Sequence, residues 1–182
     1  MKPRRYTSEG IVLARKNYAE ADRLLVIFSK HFGKIKLLAK GVRKPKSRKR
    51  GHIEIFSKLR FAVSSTKGIG IMTEAEIVNS YSHLRKDLHK IAVAYYFCEV
   101  IGRITHDEEK NEFLYDLISD YLEELPQVKD LKKFRKQFIY RLLLSLGYWP
   151  VGKKMQDPDL ELEKVIERKI NSVRVGKKIL EV

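Results

Sequence analysis

The sequence has very little cysteine and no long apolar run, and both absences narrow the classes of protein that it can encode. Cys98 is the one cysteine among 182 residues, which excludes a disulfide framework and a cysteine-cluster zinc site within one chain. No apolar stretch approaches the roughly 20 residues of a membrane-spanning helix. The first six residues are basic but lack the apolar region of a signal peptide. We therefore expect a soluble, cytosolic protein in which Cys98 is buried and unreactive.

Acidic residues are scarce in the first half of the chain. The net charge is +15; residues 1–80 hold nineteen Lys and Arg against six Asp and Glu, whereas residues 81–182 hold nineteen against seventeen. The first half therefore carries +13 and the second half +2. No acid lies between Asp22 and Glu54. This asymmetry indicates a first half that binds a polyanion and a more neutral second half.

The positive charge is concentrated in one run, residues 40–50. Seven of its eleven residues are cationic, namely Lys40, Arg43, Lys44, Lys46, Arg48, Lys49 and Arg50. Helix and strand are disfavoured by Gly41, Pro45, Ser47 and Gly51, so the run predicts a mobile loop between ordered segments. The favoured ligand of such a loop is the phosphate backbone of a nucleic acid. A merely solvated loop and a nuclear-targeting stretch are the alternatives.

Apolar patterns of period two predict five short strands, at residues 6–17, 23–29, 34–40, 52–63 and 70–78. Gly33 allows a tight turn between the second and third strands, and the basic run separates the third from the fourth. Lys34 and Lys36 share one face of the third strand, because strand side chains repeat every two residues. Five strands joined in this way are typical of a small barrel, and the five-stranded oligonucleotide-binding (OB) type is the candidate.

After residue 80 the apolar period changes to about 3.6, which predicts helices. An apolar stripe that begins at Leu84 marks the first helix. Thr105 and Glu108 have the spacing of a capping box and predict the start of a second helix. Asp130 is the predicted cap of a third helix, which Gly147 closes.

A further helical pattern covers about residues 158–171. The sequence therefore predicts an α+β protein, with a five-stranded OB-fold barrel domain at residues 1–80 and an α-helical domain at residues 81–182.

A nucleic-acid interface requires both cations and aromatic surfaces on which bases stack. Outside the basic run, the candidate cations are Arg15, Lys16, Arg23, Lys34 and Lys36. The candidate stacking residues are Tyr18, Phe32 and Phe56, and for each of them a place in the core is the alternative. No segment is typical of a base-reading helix, so sequence-specific recognition is not expected.

The pattern for catalysis or metal binding is weak. Glu74 and Glu76 share a strand face, but no histidine or further carboxylate stands beside them at ligand spacing, and solvated faces or ion pairs explain them better. None of the five histidines has a Ser or Cys partner in a recognisable arrangement. We predict no active site, no metal and no cofactor, and therefore a protein that is not an enzyme.

The helical half combines apolar helix faces with the cations Lys132, Lys133, Arg135, Lys136 and Arg141. A groove between the second and third helices, with a basic rim, would accept an acidic peptide that ends in an aromatic residue. The alternative is that the apolar residues of these helices are simply core.

Residues 6–60 carry a series of segments with a specific order and spacing: Glu9–Leu13, Tyr18–Leu25, Phe28–Ser29, Gly33, Ala39–Arg43, Lys46–Arg48 and Gly51. Together they resemble the RecO family of bacterial recombination mediators and DNA repair proteins. Residues 138–148, followed by Pro150, are similar to this family more loosely. The resemblance covers about residues 6–150.

The resemblance implies an OB fold followed by a helical domain, binding of single- and double-stranded DNA, and annealing of complementary strands without catalysis. It also implies contact with the acidic tail of single-strand-binding protein, partnership with RecR in loading RecA, and a cytoplasmic, nucleoid-associated location. The matching DNA-binding positions are Lys34, Lys36, Lys40, Arg43, Lys46 and Arg48. The protein tail would be bound by Phe113, Leu117, Lys132 and Lys133.

One departure from the family concerns zinc. Many members carry a four-cysteine zinc module after the segment that matches residues 147–150, but this chain has no cysteine beyond Cys98 and ends soon after that segment. We therefore expect no zinc. An OB-type RNA-binding protein and a metal-dependent nuclease are the alternative functions.

Overall fold

A computed structural model describes residues 3–47, 51, 53–65 and 68–166, and its amino-terminal half is a closed five-stranded barrel. The strands are β1 (Arg5–Tyr18), β2 (Asp22–Ser29), β3 (Gly33–Ala39), β4 (Lys58–Ser64) and β5 (Gly70–Asn79). Their order around the barrel is β1-β2-β3-β5-β4, and β4 returns to β1. Neighbouring strands pair antiparallel, except β3 and β5, which pair in parallel. This order is that of the OB fold and confirms the predicted barrel.

The barrel forms because apolar and polar residues alternate along its strands. On β3, Ile35 and Leu37 are buried, whereas Lys34, which is partly buried, and Lys36, which is exposed, lie on the opposite face. The interior is filled from all five strands, by residues that include Val12, Leu25, Ile27, Ile35, Leu37, Leu59, Phe61, Val63 and Met72. Burial of this apolar surface stabilises the closed sheet, and closure removes the exposed edges of an open one.

A β-bulge in β1 joins the barrel to the helices. The register against β2 shifts between Val12 and Ala14, which makes Leu13 the extra residue of the bulge. Leu13 is 5% exposed and packs, together with Ile11 and Phe28, into the hydrophobic cluster of the helical half. The barrel and the helices therefore share one core across their boundary.

Within the described residues, four α-helices follow the barrel: α1 (Leu88–Ile104), α2 (Glu112–Glu124), α3 (Leu131–Ser145) and α4 (Pro158–Ile166), with short 3-10 turns at Ser82–Lys86 and Leu125–Gln127. Asp87, Asn111 and Asp130 cap the first three helices by accepting hydrogen bonds from backbone N–H groups. These side chains replace partners that a helix cannot supply to its own first turn. Gly147 follows α3 with a φ of 77°, so the predicted caps Asp130 and Gly147 are confirmed.

The core of the helical half is aromatic. Phe97, Tyr121, Phe134 and Phe138 pack with ring centroids between 4.2 and 6.1 Å apart, the range in which tilted and edge-on ring pairs are favourable. These rings join α1, α2 and α3.

The fourth strand begins later than predicted. β4 starts at Lys58, and residues 53–57 form an irregular segment with a turn. Phe56 in this turn has a φ of 59° and is fully buried. The apolar alternation of the segment therefore marks a buried turn instead of a strand. His52, at the predicted start, lies outside the described residues.

The second helix also begins later than predicted. Thr105 ends α1, and its hydroxyl donates to the carbonyl of Ile101 over 2.6 Å, so it does not open a capping box. The cap of α2 is instead Asn111, whose side-chain oxygen accepts from the N–H of Leu114 over 3.0 Å. The last predicted helical pattern is present as α4 up to Ile166, and its remaining residues lie outside the described part of the chain.

Candidate nucleic-acid interface

One end of the barrel collects the turn between β1 and β2 and the start of the basic run. Tyr18, the last residue of β1, pairs with Asp22, the first of β2, and Arg23 pairs with Ala39 at the end of β3. Lys40 and the residues after it therefore emerge beside the β1–β2 turn, although about twenty residues separate them in sequence.

Backbone hydrogen bonds fix the described part of the basic run against that turn. The N–H of Gly41 donates to Asp22 over 2.7 Å, and the N–H of Arg43 donates to the carbonyl of Ala21 over 2.9 Å. The N–H of Lys44 donates back to the carbonyl of Gly41 over 3.2 Å, which closes a turn. The part of the predicted loop up to Ser47 thus has a defined backbone, whereas Arg48, Lys49 and Arg50 lie outside the described residues.

The exposed cations at this end have no acidic partner in the described part of the chain. They are Lys16, Lys40, Arg43, Lys44 and Lys46. The Arg43 guanidinium donates to the backbone carbonyl of Glu20 over 3.1 Å, which positions it without neutralising its charge. Tyr18 lies beside them with 56% of its surface exposed. We call Lys16, Tyr18, Lys40, Arg43, Lys44 and Lys46 the basic end of the barrel.

Arg15 and Arg23, also predicted as contacts, have an internal counter-charge. Beyond the bulge Arg15 lies opposite the buried Leu25, so it points toward the interior at the open end of the barrel. There Glu54 forms an ion pair with Arg15 and a longer one, at 3.5 Å, with Arg23. Burial lowers the pKa of Arg23, and the neighbouring Arg15 lowers it further, whereas Glu54 opposes both effects. The sequence did not reveal this pairing, because Glu54 is distant from both arginines along the chain.

Lys34 and Lys36 lie on the outer face of β3, as predicted, but both contact the segment after α1. The Lys34 side chain is 13% exposed, and its ammonium donates to the carbonyls of Gly102, over 2.9 Å, and Thr105. The Lys36 ammonium lies 2.7 Å from a carboxylate oxygen of Asp107, and its side chain is 53% exposed. Lys34 therefore attaches the barrel to the end of α1, while Lys36 stays accessible to solvent.

Of the three aromatic residues predicted to stack on bases, Tyr18 alone is openly exposed. Phe32 packs against Tyr6 with a centroid distance of 4.3 Å. Phe56 is fully buried, with the Arg85 guanidinium 4.2 Å above its ring. The structure thus places Phe56 in the core, the alternative that the sequence left open.

The helical half carries a second basic feature, a groove of about 1060 Å³ between the end of α2, α3 and the segment before α4. Its aromatic lining residues are Tyr121, Phe134 and Tyr140, and its cations are Lys132, Lys133, Lys136, Arg141, Lys153 and Lys154. The acids Glu124 and Asp130 also line it. We call this feature the helical groove. Lys153 and Lys154 were not among the predicted residues, although the lysine pair directly after Gly152 was a signal in the sequence that could have indicated them.

The predicted peptide-binding residues do not all meet in this groove. Lys132 and Lys133 line it, but Phe113, which is 51% exposed, is not among its lining residues. Leu117 is 3% exposed and belongs to the helical core, where no peptide reaches it. Arg135, predicted on the rim, instead forms an ion pair with Asp159 at the start of α4.

Other side chains with potential chemistry are separated or buried. Burial raises the pKa of the Cys98 thiol to about 12, as expected for an unreactive core cysteine. Among the residues that the structure describes, no three His, Cys, Asp or Glu side chains cluster as a possible metal site. In that same part of the chain, every helix falls short of the length and apolar character needed to cross a membrane.

Comparison with known proteins assigns both halves to one family. Residues 1–81 match the family model described as "Recombination protein O N terminal", and residues 85–154 match "Recombination protein O C terminal". The chain is 34% identical over 146 residues to the DNA repair protein RecO of Pelotomaculum thermopropionicum and 29% identical over 146 residues to that of Listeria monocytogenes. Each of these alignments covers 80% of this chain and 57% of the relative.

A longer alignment, with the DNA repair protein RecO of Halalkalibacterium halodurans, has 26% identity over 176 residues and covers 97% of this chain and 65% of the relative. The chain therefore spans between 57% and 65% of the length of these curated relatives.

Proposed function

Because the chain belongs to the Recombination protein O (RecO) family, we propose that it is a non-catalytic DNA-binding and strand-annealing protein of recombinational DNA repair. In this role it helps RecA to replace single-strand-binding protein on DNA. The observation that carries the proposal is the basic end of the barrel, where exposed cations without acidic partners in the described chain surround an exposed tyrosine on an OB fold.

The cations of the basic end contact DNA phosphates in this proposal. Lys16, Lys40, Arg43, Lys44 and Lys46 lie at one end of the barrel, and Arg48, Lys49 and Arg50 continue the same run in the sequence. Arg43 is held in place by backbone carbonyls, so little conformational freedom is lost when it binds. Contacts of this kind carry no sequence information, and binding falls steeply as salt rises.

Tyr18 supplies the stacking surface. Its exposed side chain stands where β1 enters the β1–β2 turn, and Arg43 is bonded to a carbonyl of that same turn. Stacking tolerates every base, because each base has a π-face. Stacking also favours a single strand over a duplex, whose bases are already stacked.

Annealing follows from charge neutralisation in this proposal. Two complementary strands repel each other through their phosphates, and a protein with a net charge of +15 reduces that repulsion when it coats them. No bond is made or broken in DNA, so the basic end of the barrel needs neither a nucleophile nor a metal.

The helical groove is the proposed site for the acidic tail of single-strand-binding protein. Its lysines attract acidic side chains and a terminal carboxylate, and its aromatic lining receives an apolar side chain. We assign DNA binding to residues 1–80 and partner recruitment to residues 81–182. RecR is a further proposed partner, and the proposed location is the nucleoid in a bacterial cytoplasm.

A strand-annealing assay in the presence of single-strand-binding protein tests the proposed function. Complementary DNA strands, one of them fluorescent, are coated with the binding protein and then mixed with the purified chain, and duplex formation is followed over time. We expect annealing faster than without the chain, and no cleavage when magnesium is added. A firm preference for RNA without annealing would favour the RNA-binding alternative, and magnesium-dependent cleavage would favour the nuclease.

Binding of a synthetic acidic peptide that ends in phenylalanine tests the groove separately. Fluorescence anisotropy should give a Kd at least tenfold weaker for a Lys132→Glu, Lys133→Glu double variant, because both lysines line the groove. The matched control is a Lys86→Glu, Lys129→Glu variant, which makes the same charge change at exposed positions that do not line the groove. Equal losses of peptide affinity in both variants would mean that the net charge of the protein, and not the helical groove, attracts the peptide.

A further inference from the structure

A short acidic segment between α1 and α2 lies beside the first half of β3 and pairs with its backbone. We call residues 105–110 the acidic strap, after Asp107, Glu108 and Glu109. The strap forms a parallel bridge to β3 between Lys34 and Asp107, and the N–H of Glu108 donates to the carbonyl of Lys34 over 2.8 Å. The strap is thus held on the strand by backbone hydrogen bonding as well as by charge.

The backbone at the contact allows this close approach. Gly33 has a φ of 64°, and a Cβ atom at that position would stand 2.0 Å from the carbonyl oxygen of Glu109. Only glycine fits there. Glu108 itself has a φ of 65°, a left-handed conformation that a residue with a side chain adopts at some cost. Two unusual backbone positions therefore keep the strap against β3.

The Asp107 carboxylate lies between the ammonium groups of two lysines of β3. One carboxylate oxygen is 2.7 Å from the Lys36 ammonium, and the other is 3.4 Å from that of Lys34. The hydrogen bond from Lys36, assisted by the charge of Lys34, lowers the pKa of Asp107, so the carboxylate is ionised at neutral pH. Both lysines stand on the strand that leads directly into Lys40 and the basic end.

We propose that the acidic strap is an internal substitute for a DNA phosphate. Its Asp107 carboxylate binds the Lys36 ammonium until a DNA strand displaces it. This inference rests on the proposed DNA binding and adds a regulated extension to that surface. Lys36 can exchange partners because its side chain and that of Asp107 are each about half exposed, and exposed ion pairs are weak. Lys34 keeps its bonds to the end of α1, so the strap stays attached while its carboxylate gives way.

The strap therefore lowers affinity for short or sparse anions and yields to a continuous phosphate backbone. A strand bound at the basic end brings its next phosphates along β3 at high local concentration, and these phosphates compete with Asp107. A free anion in solution lacks that advantage.

Titration of a fluorescent oligothymidine at several salt concentrations tests this inference, with the unmodified chain, Asp107→Asn, Lys36→Gln and the double variant. Asp120→Asn is the matched control, because it makes the same charge change at an exposed acid of α2. At low salt we expect Asp107→Asn to bind about two- to fivefold tighter, the range of an exposed ion pair. Its salt slope should be steeper by about 0.7, the value of one phosphate contact on a single strand. The gain should vanish when Lys36→Gln is added.

The inference is overturned if Asp107→Asn binds no tighter than Asp120→Asn, or if its gain persists without Lys36. Thermal melts of all variants establish that they remain folded, which is expected because the Lys36–Asp107 pair is exposed. Absence of oligothymidine binding by the unmodified chain would overturn the proposed function, and this inference with it. Binding by the unmodified chain together with unchanged affinity in Asp107→Asn would overturn the inference alone.

Discussion

Phe56 and Tyr18 show how differently two aromatic residues can serve within one barrel. Phe56 has a left-handed backbone conformation, lies under Arg85, and meets Tyr95 edge-on at a centroid distance of 5.5 Å. Its ring joins the barrel to α1, and this packing offsets the cost of a φ of 59° at a residue with a side chain. Tyr18, in contrast, is exposed at the basic end of the barrel, where we propose that DNA binds.

Replacement of Phe56 by alanine should lower the free energy of unfolding by about 3–5 kcal/mol. The variant loses the buried ring and leaves a cavity, while the backbone strain remains. Urea denaturation followed by circular dichroism measures this change. A loss below about 1 kcal/mol would mean that the ring does not hold the two halves together.

Replacement of Tyr18 by alanine should weaken DNA binding and leave the stability of the fold unchanged. We expect an unchanged unfolding free energy, because the ring is exposed, and single-stranded DNA affinity at least about fivefold weaker, because a stacked base contributes roughly 1 kcal/mol or more. Anisotropy with oligothymidine gives the affinity. An unchanged affinity for oligothymidine would mean that Tyr18 does not stack on a base.

At the residue scale, the sequence predicted which strand face the cations occupy. It did not predict the residues with which they form ion pairs and hydrogen bonds. The alternation on β3 placed Lys34 and Lys36 on one face, as the structure confirms. The acids and carbonyls that hold them, at Gly102, Thr105 and Asp107, are about seventy residues away. Such long-range pairs depend on how the barrel and helices pack, which local patterns do not encode.

Asp87 at the start of α1 connects a helix cap with pH. The N–H groups of His89 and Lys90 donate to its carboxylate over 2.9 and 3.2 Å. The hydrogen bond from Lys90 is the largest cause that lowers the pKa of Asp87 below its ordinary value of 3.8. A carboxyl with a lowered pKa in the folded state stabilises the fold when ionised.

An Asp87→Asn variant should therefore be less stable than the unmodified chain at neutral pH, and this difference should disappear in acid. Asparagine caps a helix about as well as aspartate, so the variant isolates the charge. The difference should be about 0.3–0.5 kcal/mol, at the low end for a helix terminus because solvent screens the partly exposed carboxylate. It should be fully present above pH 3.8 and shrink as the pH falls below that value through the folded pKa.

Urea denaturation of both proteins at pH 7, 5 and 3 measures this difference. A constant difference across the series would assign the stabilisation to something other than the charge of Asp87.

At the element scale the sequence predicted four of the five strands and the third helix closely, because their apolar periods are regular. It misplaced the start of β4, because the buried turn around Phe56 imitates alternation. It misplaced the start of α2, because the hydroxyl of Thr105 ends α1 instead of capping the next helix. Both errors arise where barrel and helices meet, so tertiary packing decided the local structure there.

At the scale of the whole molecule, the shared core makes the barrel and the helices depend on each other. Ile11, Leu13, Phe28 and Phe56 leave the barrel to join the hydrophobic cluster of the helices. Separation of the halves would expose this apolar surface to water, at a free-energy cost that grows with its area.

We therefore expect the whole chain to unfold in one transition. Trp149, the single tryptophan, reports on the helical half, whereas far-ultraviolet circular dichroism reports on both halves. The urea midpoints from the two signals should coincide, as they do for cooperative two-state unfolding. Separate midpoints would mean that the two halves fold as independent units.

DNA binding at the basic end of the barrel is tested most directly by the salt dependence of oligothymidine affinity. The unmodified chain is compared with a Lys40→Gln, Lys44→Gln, Lys46→Gln variant. The control changes Lys86, Lys129 and Lys164 to glutamine, three exposed lysines of the helical half that lie outside both the helical groove and the acidic strap. Each phosphate contact on a single strand contributes about 0.7 to the slope of log affinity against log salt, so three lost contacts should flatten it by about 2. We predict that flattening for the loop variant and an unchanged slope for the control; equal slopes in all three proteins would contradict DNA binding at this end of the barrel.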